Sequence, residues 1–302
     1  MGGGELAGEL LARCDFPPPQ SGRVSLAVSG GPDSMALLVL AASAGLEAVA
    51  VHVDHGLREG SSAEAEVVAA AAAQFGLGFE ARSVRVTPGP DLEARARRAR
   101  YSSLPDGVMT GHTMDDQAET VMLNVLRGAA LDGLSGMRSN SVGRARRPLL
   151  RLRRSETVAL CLSVGLVPIV DPTNQDSRFR RNRVRAEVIP LLCEVAGRDV
   201  VPVLARQAAL LAADSDVLQE LAAAIDPTDA EGLRAAPIAL SRRAVRGWLR
   251  SEEGLGDEEA HPPSSEEVAR VLTVACGQAR ACELEGGRRV QLSAGRLLIL
   301  AQ

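Results

Sequence analysis

The sequence contains no lysine; all 34 basic side chains are arginine. That excludes a Walker A loop, whose Gly-Lys-Ser/Thr ending reaches the nucleotide phosphates. Aromatic residues make up only 2% of the chain, so recognition of a nucleic acid has to rest on charge and shape more than on stacking. The five cysteines, at 14, 161, 193, 276 and 282, include no Cys-x-x-Cys pair. Neither a disulfide framework nor a zinc module is expected, and a reducing cytoplasm is. Glu5 and Glu9 interrupt the apolar residues of the N-terminal segment, which fits neither a signal peptide nor a membrane span.

What is present is a chain of 302 residues, 46% hydrophobic and 24% charged, the composition of a folded enzyme of about two domains. Its net charge of −4 is unevenly spread. Residues 138–185 hold 12 Arg against three acids (Glu156, Asp171 and Asp176), whereas residues 1–137 hold 10 Arg against 17 acids and residues 186–302 hold 12 against 18. A basic belt in an acidic chain suggests a surface for a polyanion, although a solvated arginine face has the same composition.

The first half alternates strand and helix. Short β-rich runs at Val24–Val28, Ala48–Val53, Phe79–Val86 and Val108–Thr110 are followed by helical patterns at 34–44, 61–75, 91–104 and 114–127. Such alternation predicts an α/β fold: a Rossmann-like parallel sheet with helices on both faces. Gly128–Pro148 reads as a long functional loop, and a helix resumes at Ser155–Val164. Past residue 190 the strands stop. Helices are expected at 200–224, 237–249 and 265–276, then a hairpin over Glu283–Leu300 turning at Gly286-Gly287. The expected division is a catalytic domain, 1–190, and a smaller, mainly helical substrate-binding domain, 191–302, that ends in the short β-hairpin.

The sharpest motif is Ser29-Gly30-Gly31-Pro32-Asp33-Ser34, directly after the first strand and opening a helix. Two glycines let the backbone turn tightly and approach phosphate oxygens, and the helix start supplies N–H groups and positive dipole. Ser29 and Ser34 add hydroxyls. Asp33 is the odd member, since a carboxylate among phosphates is favourable only across a cation; this points to Asp33 as a Mg²⁺ ligand facing a polyphosphate.

At the end of the fourth strand, Gly111-His112 leads into a helix carrying Asp115, Asp116 and Glu119. Asp116 and Glu119 are three apart and share a helix face. Carboxylates there lie where open α/β sheets bind ligands, and could hold a cationic amino acid and take its proton; an acidic first turn that only stabilises its own helix would look alike. His112 is a candidate to act on phosphates or on a carboxylate, or is a satisfied core histidine. His52 and His55 flank Asp54 on one strand end, where alternate residues face apart, so His52 is a nucleotide contact sooner than a metal ligand. Arg58 is a candidate phosphate contact. The run from Arg178 to Arg185 has the composition of an anion clamp, and Arg97 and Arg100 fit the same phosphate-facing role, although a solvated helix face would look alike.

The Ser-Gly-Gly-x-Asp-Ser loop resembles that of the N-type ATP pyrophosphatase (PP-loop) superfamily. Further motifs narrow the resemblance. They are His52-Val53-Asp54-His55-Gly56-Leu57-Arg58, Gly111 to Thr120, Arg127-Gly128 with Gly133-Leu134-Ser135-Gly136-Met137, Arg147-Pro148-Leu149-Leu150, Asp171-Pro172-Thr173-Asn174, and Arg181-Asn182-Arg183-Val184-Arg185. In this order, over about residues 22–190, they are similar to the tRNA(Ile)-lysidine synthases. Phe179 stands where many members carry Tyr.

The resemblance implies an ATP-dependent, AMP-forming ligase with Mg²⁺. It would adenylate the wobble cytidine of an isoleucine tRNA with a CAU anticodon and attach free lysine. It implies Asp33, His112, Asp116 and Glu119 as catalytic, and Ser29 to Ser34, His52, Arg58 and Gly111 as ATP-binding. Asp116 and Glu119 would contact lysine, with Arg97, Arg100, Arg127, Arg181, Asn182 and Arg185 as tRNA or substrate contacts. No membrane association is expected, and oligomeric state is left open, a homodimer among the options. The alternatives are a PP-loop tRNA thiolase, disfavoured because no cysteines cluster, and a non-catalytic nucleotide-binding RNA module, disfavoured by the intact Asp33 and carboxylate pair.

Overall fold

The computed structural model describes residues 2–54, 61–84, 95, 99, 101–140, 145–169, 176–252 and 263–300. The chain divides into two compact units, Met1–Ala212 and Ala213–Gln302. In the first, β1 (Val24–Ala27), β2 (Ala48–Asp54), β3 (Gly78–Ser83) and β4 (Met109–Thr110) form a parallel sheet in the order β3-β2-β1-β4. Residues 48–52 of β2 are all buried. Because successive side chains point to opposite faces, both faces of this strand are covered.

The helices that frame this sheet include α1 (Gly3–Leu11), α2 (Pro32–Ser43), α3 (Ser61–Gln74), α4 (Met114–Leu126), the short α5 (Leu131–Leu134) and α6 (Arg154–Ser163). Its core joins Leu10 of α1, Leu26 of β1, Met35, Leu37, Leu38 and Leu40 of α2, Leu152, and Leu160 and Cys161 of α6. Every residue of α2 from Ser34 to Ala41 is buried, as expected of a helix that is apolar all round. Each such leucine contributes about 1.5–3 kcal/mol, so the helix that carries the glycine-rich loop is fixed in place. The strand order reverses at β1, with β2 on one side and β4 on the other. In open α/β sheets that reversal opens a crevice at the carboxyl ends of the two strands.

Two stretches are more ordered than their sequence suggests. Between Gly128 and Pro148, α5 is tied down by Asn124 Nδ2 donating to the Gly133 carbonyl (2.7 Å). Gln117 exchanges hydrogen bonds with the Met137 backbone at 2.7 and 3.0 Å, and Arg146 adds a parallel bridge beside β4. Pro190, a residue that breaks helix interiors, sits at the start of Ile189–Ala196, directly after a π-turn over Val184–Val188. The wider turn accommodates a residue without an N–H.

The second unit packs helices Ala230–Ala235, Ile238–Glu252 and Ser265–Ala275 with an antiparallel sheet of β5 (Ala281–Glu283), β6 (Arg289–Ser293) and β7 (Arg296–Leu300). The expected hairpin is thus three-stranded. The turn at Gly286-Gly287 joins β5 to β6, and a second tight turn at Ala294-Gly295, with φ of +48° and +80°, adds β7. Val245, Leu249, Val271 and Leu297 centre its core.

Candidate active site

The loop after β1 turns at Gly30, whose φ is +88°. A Cβ there would also lie 2.4 Å from the Ile169 side chain, and the Gly30 carbonyl accepts the Ile169 N–H at 2.9 Å. Only glycine meets both conditions. Gly31 then leads into α2, whose first backbone bond runs from the Met35 N–H to the Gly31 carbonyl (2.9 Å). The N–H groups of Asp33 and Ser34 precede that ladder and are available to an anion at the helix start. Ser34 Oγ donates to the Gly31 carbonyl (2.9 Å) and accepts from the Ser29 N–H (3.2 Å), with Ser29 Oγ 3.3 Å away.

The end of β4 comes against this loop at Gly111. His112 Nδ1 lies 2.7 Å from Thr110 Oγ1. Thr113 caps α4: its N–H and its hydroxyl both donate to Asp116 Oδ2 at 2.9 Å, which leaves Asp116 Oδ1 for other donors.

At the centre of the site stands Arg154, the first residue of α6. Its three nitrogens reach three different carboxylates: Nε donates to Asp33 Oδ2 (3.0 Å), Nη2 to Asp116 Oδ1 (2.8 Å) and Nη1 to Glu119 Oε1 (3.3 Å). Arg181 adds bonds to Glu119 Oε2 (2.7 Å) and Asp116 Oδ1 (2.8 Å). Arg185 holds both oxygens of Glu119, at 2.6 and 3.1 Å. The Thr157 hydroxyl donates to Asp33 Oδ1 at 2.5 Å. Three acids and three guanidiniums therefore form one balanced cluster, with Glu119 only 1% exposed. Removing one partner of such a buried pair strands the other charge and costs about 3–5 kcal/mol.

The acids respond differently to the same arginine. Burial raises the Asp33 carboxyl above its ordinary range, and Arg154 and Thr157 only partly oppose it. Burial pushes Asp116 the same way, but the charges of Arg154 and Arg181, then His112, outweigh it and hold the carboxyl well below that range. The difference is one guanidinium against two. Arg154 itself resists burial through Asp116, Asp33 and Glu119, which keep it firmly charged.

The structure thus brings Asp33, Asp116, Glu119, Arg181 and Arg185 together. It separates others. Arg127 is exposed on the last turn of α4, near Asn124 Oδ1 at 3.5 Å. Asn182 donates to the Asp176 carbonyl at 3.0 Å. His52 is buried at 3% exposure, its Nδ1 2.9 Å from the Val28 carbonyl, so one ring nitrogen is committed to pinning β2 to the start of the loop. Arg178 pairs with Asp176 and Arg183 with Glu187 at the surface. His55, Arg58, Arg97, Arg100 and Asp171–Asn174 lie outside the described residues.

Sequence reasoning missed Arg154 and Thr157. Its only signal for Arg154 was membership of the basic belt, which does not say that the side chain turns inward. Arg153 beside it is also engaged, with Asp115 at 3.2 Å and with Asp199. Among the described residues, no three His, Cys, Asp or Glu side chains are arranged as metal ligands. Mg²⁺ does not require such a cage, since one carboxylate with phosphate and water oxygens is its usual set, and Asp33 at the helix start fits that part. Cys161, behind the loop with its Sγ 3.4 Å from the Pro32 carbonyl, is fully buried. Burial pushes its thiol up to about 12, which leaves it unreactive.

Residues 9–192 match the PP-loop domain family. The chain is 44% identical over 246 residues to the tRNA(Ile)-lysidine synthase of Nocardia farcinica, covering 77% of each chain. It is 40% identical over 293 residues to that of Mycobacterium bovis, covering 91% of this chain and 88% of the relative. Among solved structures, the U34-tRNA thiolase NcsA of Methanococcus maripaludis shares the fold, with a TM-score of 0.51 at 15% identity over 68% of this chain and 76% of that one.

Proposed function

The chain belongs to the tRNA(Ile)-lysidine synthase family of PP-loop proteins, and from that premise we propose that it joins lysine to the wobble cytidine of a CAU-anticodon isoleucine tRNA at the expense of ATP. The observation that carries the reading is the meeting of the Asp33 loop with the Asp116–Glu119 pair through Arg154. One half can hold a polyphosphate and the other a cationic amine.

The chemistry has two steps. The cytosine O2 attacks the α-phosphorus of ATP; a P–O bond forms, the bond to the bridging oxygen breaks, and pyrophosphate leaves. The lysine amine then bonds to C2, the C2–O2 bond breaks, and AMP departs with that oxygen. The loop N–H groups and the Ser29 and Ser34 hydroxyls hold phosphate oxygens, and Arg154, which holds Asp33, is the guanidinium placed beside charge that develops there. Asp33 would hold Mg²⁺, which neutralises phosphate charge when bound. Asp116 and Glu119 hold and orient the ammonium, and one of them takes the proton that the attacking amine must lose.

Five free cysteines fit a reducing compartment, and we assign the reaction to the cytoplasm. The test is incorporation of labelled lysine into a CAU-anticodon isoleucine tRNA, dependent on ATP and Mg²⁺, with release of AMP. ATP turnover that transfers sulfur instead, or no turnover with tRNA present, would replace this reading by the thiolase or the non-catalytic module.

A further inference from the structure

The acids assigned to lysine have no free acceptor atom in the structure. Glu119 Oε1 accepts from Arg154 and Arg185, and its Oε2 from Arg181 and Arg185. Asp116 Oδ1 accepts from Arg154 and Arg181, and its Oδ2 from Thr113. Charge is balanced as well, three guanidiniums against Asp33, Asp116 and Glu119. An incoming ammonium finds neither an unneutralised acid nor an open lone pair until one guanidinium withdraws.

Arg154 is the one placed to do so. Of the three it alone also holds Asp33, the acid of the phosphate loop. Its backbone stays fixed, because its own N–H donates to Asp115 Oδ2 at 2.8 Å and its neighbour Arg153 is tied to Asp115 and Asp199. A movement is therefore confined to the side chain. Guanidiniums bind phosphate by paired, charge-assisted hydrogen bonds. A polyphosphate on the α2 start would draw Arg154 toward it, while Mg²⁺ would compete for the Asp33 oxygen that Arg154 holds.

We propose that Arg154 is a positioning residue that occupies the lysine ammonium subsite in the free enzyme and vacates it when ATP binds, so that ATP and lysine bind with positive coupling. This rests on the reading of Asp116 and Glu119 as the lysine site. The device makes chemical sense, since it withholds the nucleophile until the activating nucleotide is present.

Coupling is a measurable quantity. Lysine is titrated calorimetrically into the full chain with and without a non-hydrolysable ATP analogue and Mg²⁺. Wild type is expected to bind lysine about tenfold or more tightly with the analogue, inside the usual range for coupled sites. Arg154→Gln should bind lysine without the analogue nearly as well as wild type does with it, leaving a ratio within about twofold. Arg154→Lys, which cannot span three acids, should fall between. A structural role alone would weaken both conditions equally and leave the ratio intact.

If Arg154→Gln does not fold, Arg154→Lys tests the same point through its intermediate ratio, beside the wild-type titrations with and without the analogue. A full ratio retained in folded variants, or a wild-type lysine affinity indifferent to the analogue, overturns the proposal. Failure of wild type to incorporate lysine into tRNA overturns instead the reading it rests on.

Discussion

Gly111 abuts the backbone of Asp33: a Cβ on Gly111 would sit 2.5 Å from the Asp33 carbonyl oxygen and 2.9 Å from the Ser34 nitrogen. No side chain can swing aside there, because the obstacle is backbone at the start of a fully packed helix. Gly111→Ala must push the end of β4 away from the phosphate loop. The expected result is a loss of at least about tenfold in pyrophosphate release, since small displacements of reacting groups are costly, with an unchanged circular dichroism spectrum. Gly8→Ala is the control. Gly8 lies within α1 with nothing within 4 Å of its would-be Cβ, so the change should stabilise by about 0.5–1 kcal/mol and leave the rate alone. Equal rates for the two variants would mean that the contact positions nothing.

That contact explains what sequence could and could not reveal. The strands of the first unit and the helices α2, α3, α4 and α6 were legible because apolar periodicity and glycine punctuation are local signals. The phosphate loop was legible for the same reason. Asp116 and Glu119 were legible as a pair because three residues of helix fix their relation. Arg154 was not, because it meets Asp33 and Glu119 across 121 and 35 residues of chain, and nothing local distinguishes an inward arginine from an outward one. The arginines 178–185 illustrate the same limit. Composition marked them all as candidates for phosphate, yet a short helical segment continued by a π-turn carries Arg181 and Arg185 inward while Arg183 pairs with Glu187 at the surface.

This sorting makes a prediction about the basic belt. Arg180 is exposed, whereas Arg185 lies on Glu119. Arg180→Ala should weaken tRNA binding uniformly and lower the log–log salt slope by about 1, with lysine KM unchanged. Arg185→Ala should change lysine KM. Titrations at several salt concentrations decide it: an unchanged slope for Arg180→Ala would place that arginine on a merely solvated face.

Opposite carboxyl shifts predict opposite stability effects. Asp116 is depressed in the folded state, so its contribution is present above the ordinary carboxylate range and fades as pH falls through the depressed value. Asp116→Asn should therefore lower Tm at pH 7, and the deficit should shrink in acid. Asp33 is raised, chiefly by burial, so its folded form favours the proton; its stabilising contribution is present in acid and is lost as pH rises through the raised value. Asp33→Asn should accordingly lower Tm at pH 7 less than Asp116→Asn does, while abolishing adenylation. Thermal melts from pH 2 to 8 give the answer, and a deficit at pH 7 as large for Asp33→Asn as for Asp116→Asn would refute the argument.

Glu119→Gln separates the two half-reactions. In the free enzyme Arg154 and Arg181 retain Asp116 when Glu119 loses its charge, whereas Arg185 loses its close partner, so Tm should fall. In the lysine complex the ammonium loses one of two countercharges, a contact of about 1.5–3 kcal/mol. Lysine KM should then rise about 10–100-fold. ATP has no contact with Glu119 in this scheme, so its KM should stay near wild type, and adenylated tRNA should accumulate at low lysine and disappear as lysine is raised. Measured well below the lowered Tm, these readouts are independent of folding. The opposite pattern, a lost affinity for ATP with lysine KM unchanged, would move Asp116 and Glu119 into the nucleotide site and leave the ammonium to be held elsewhere.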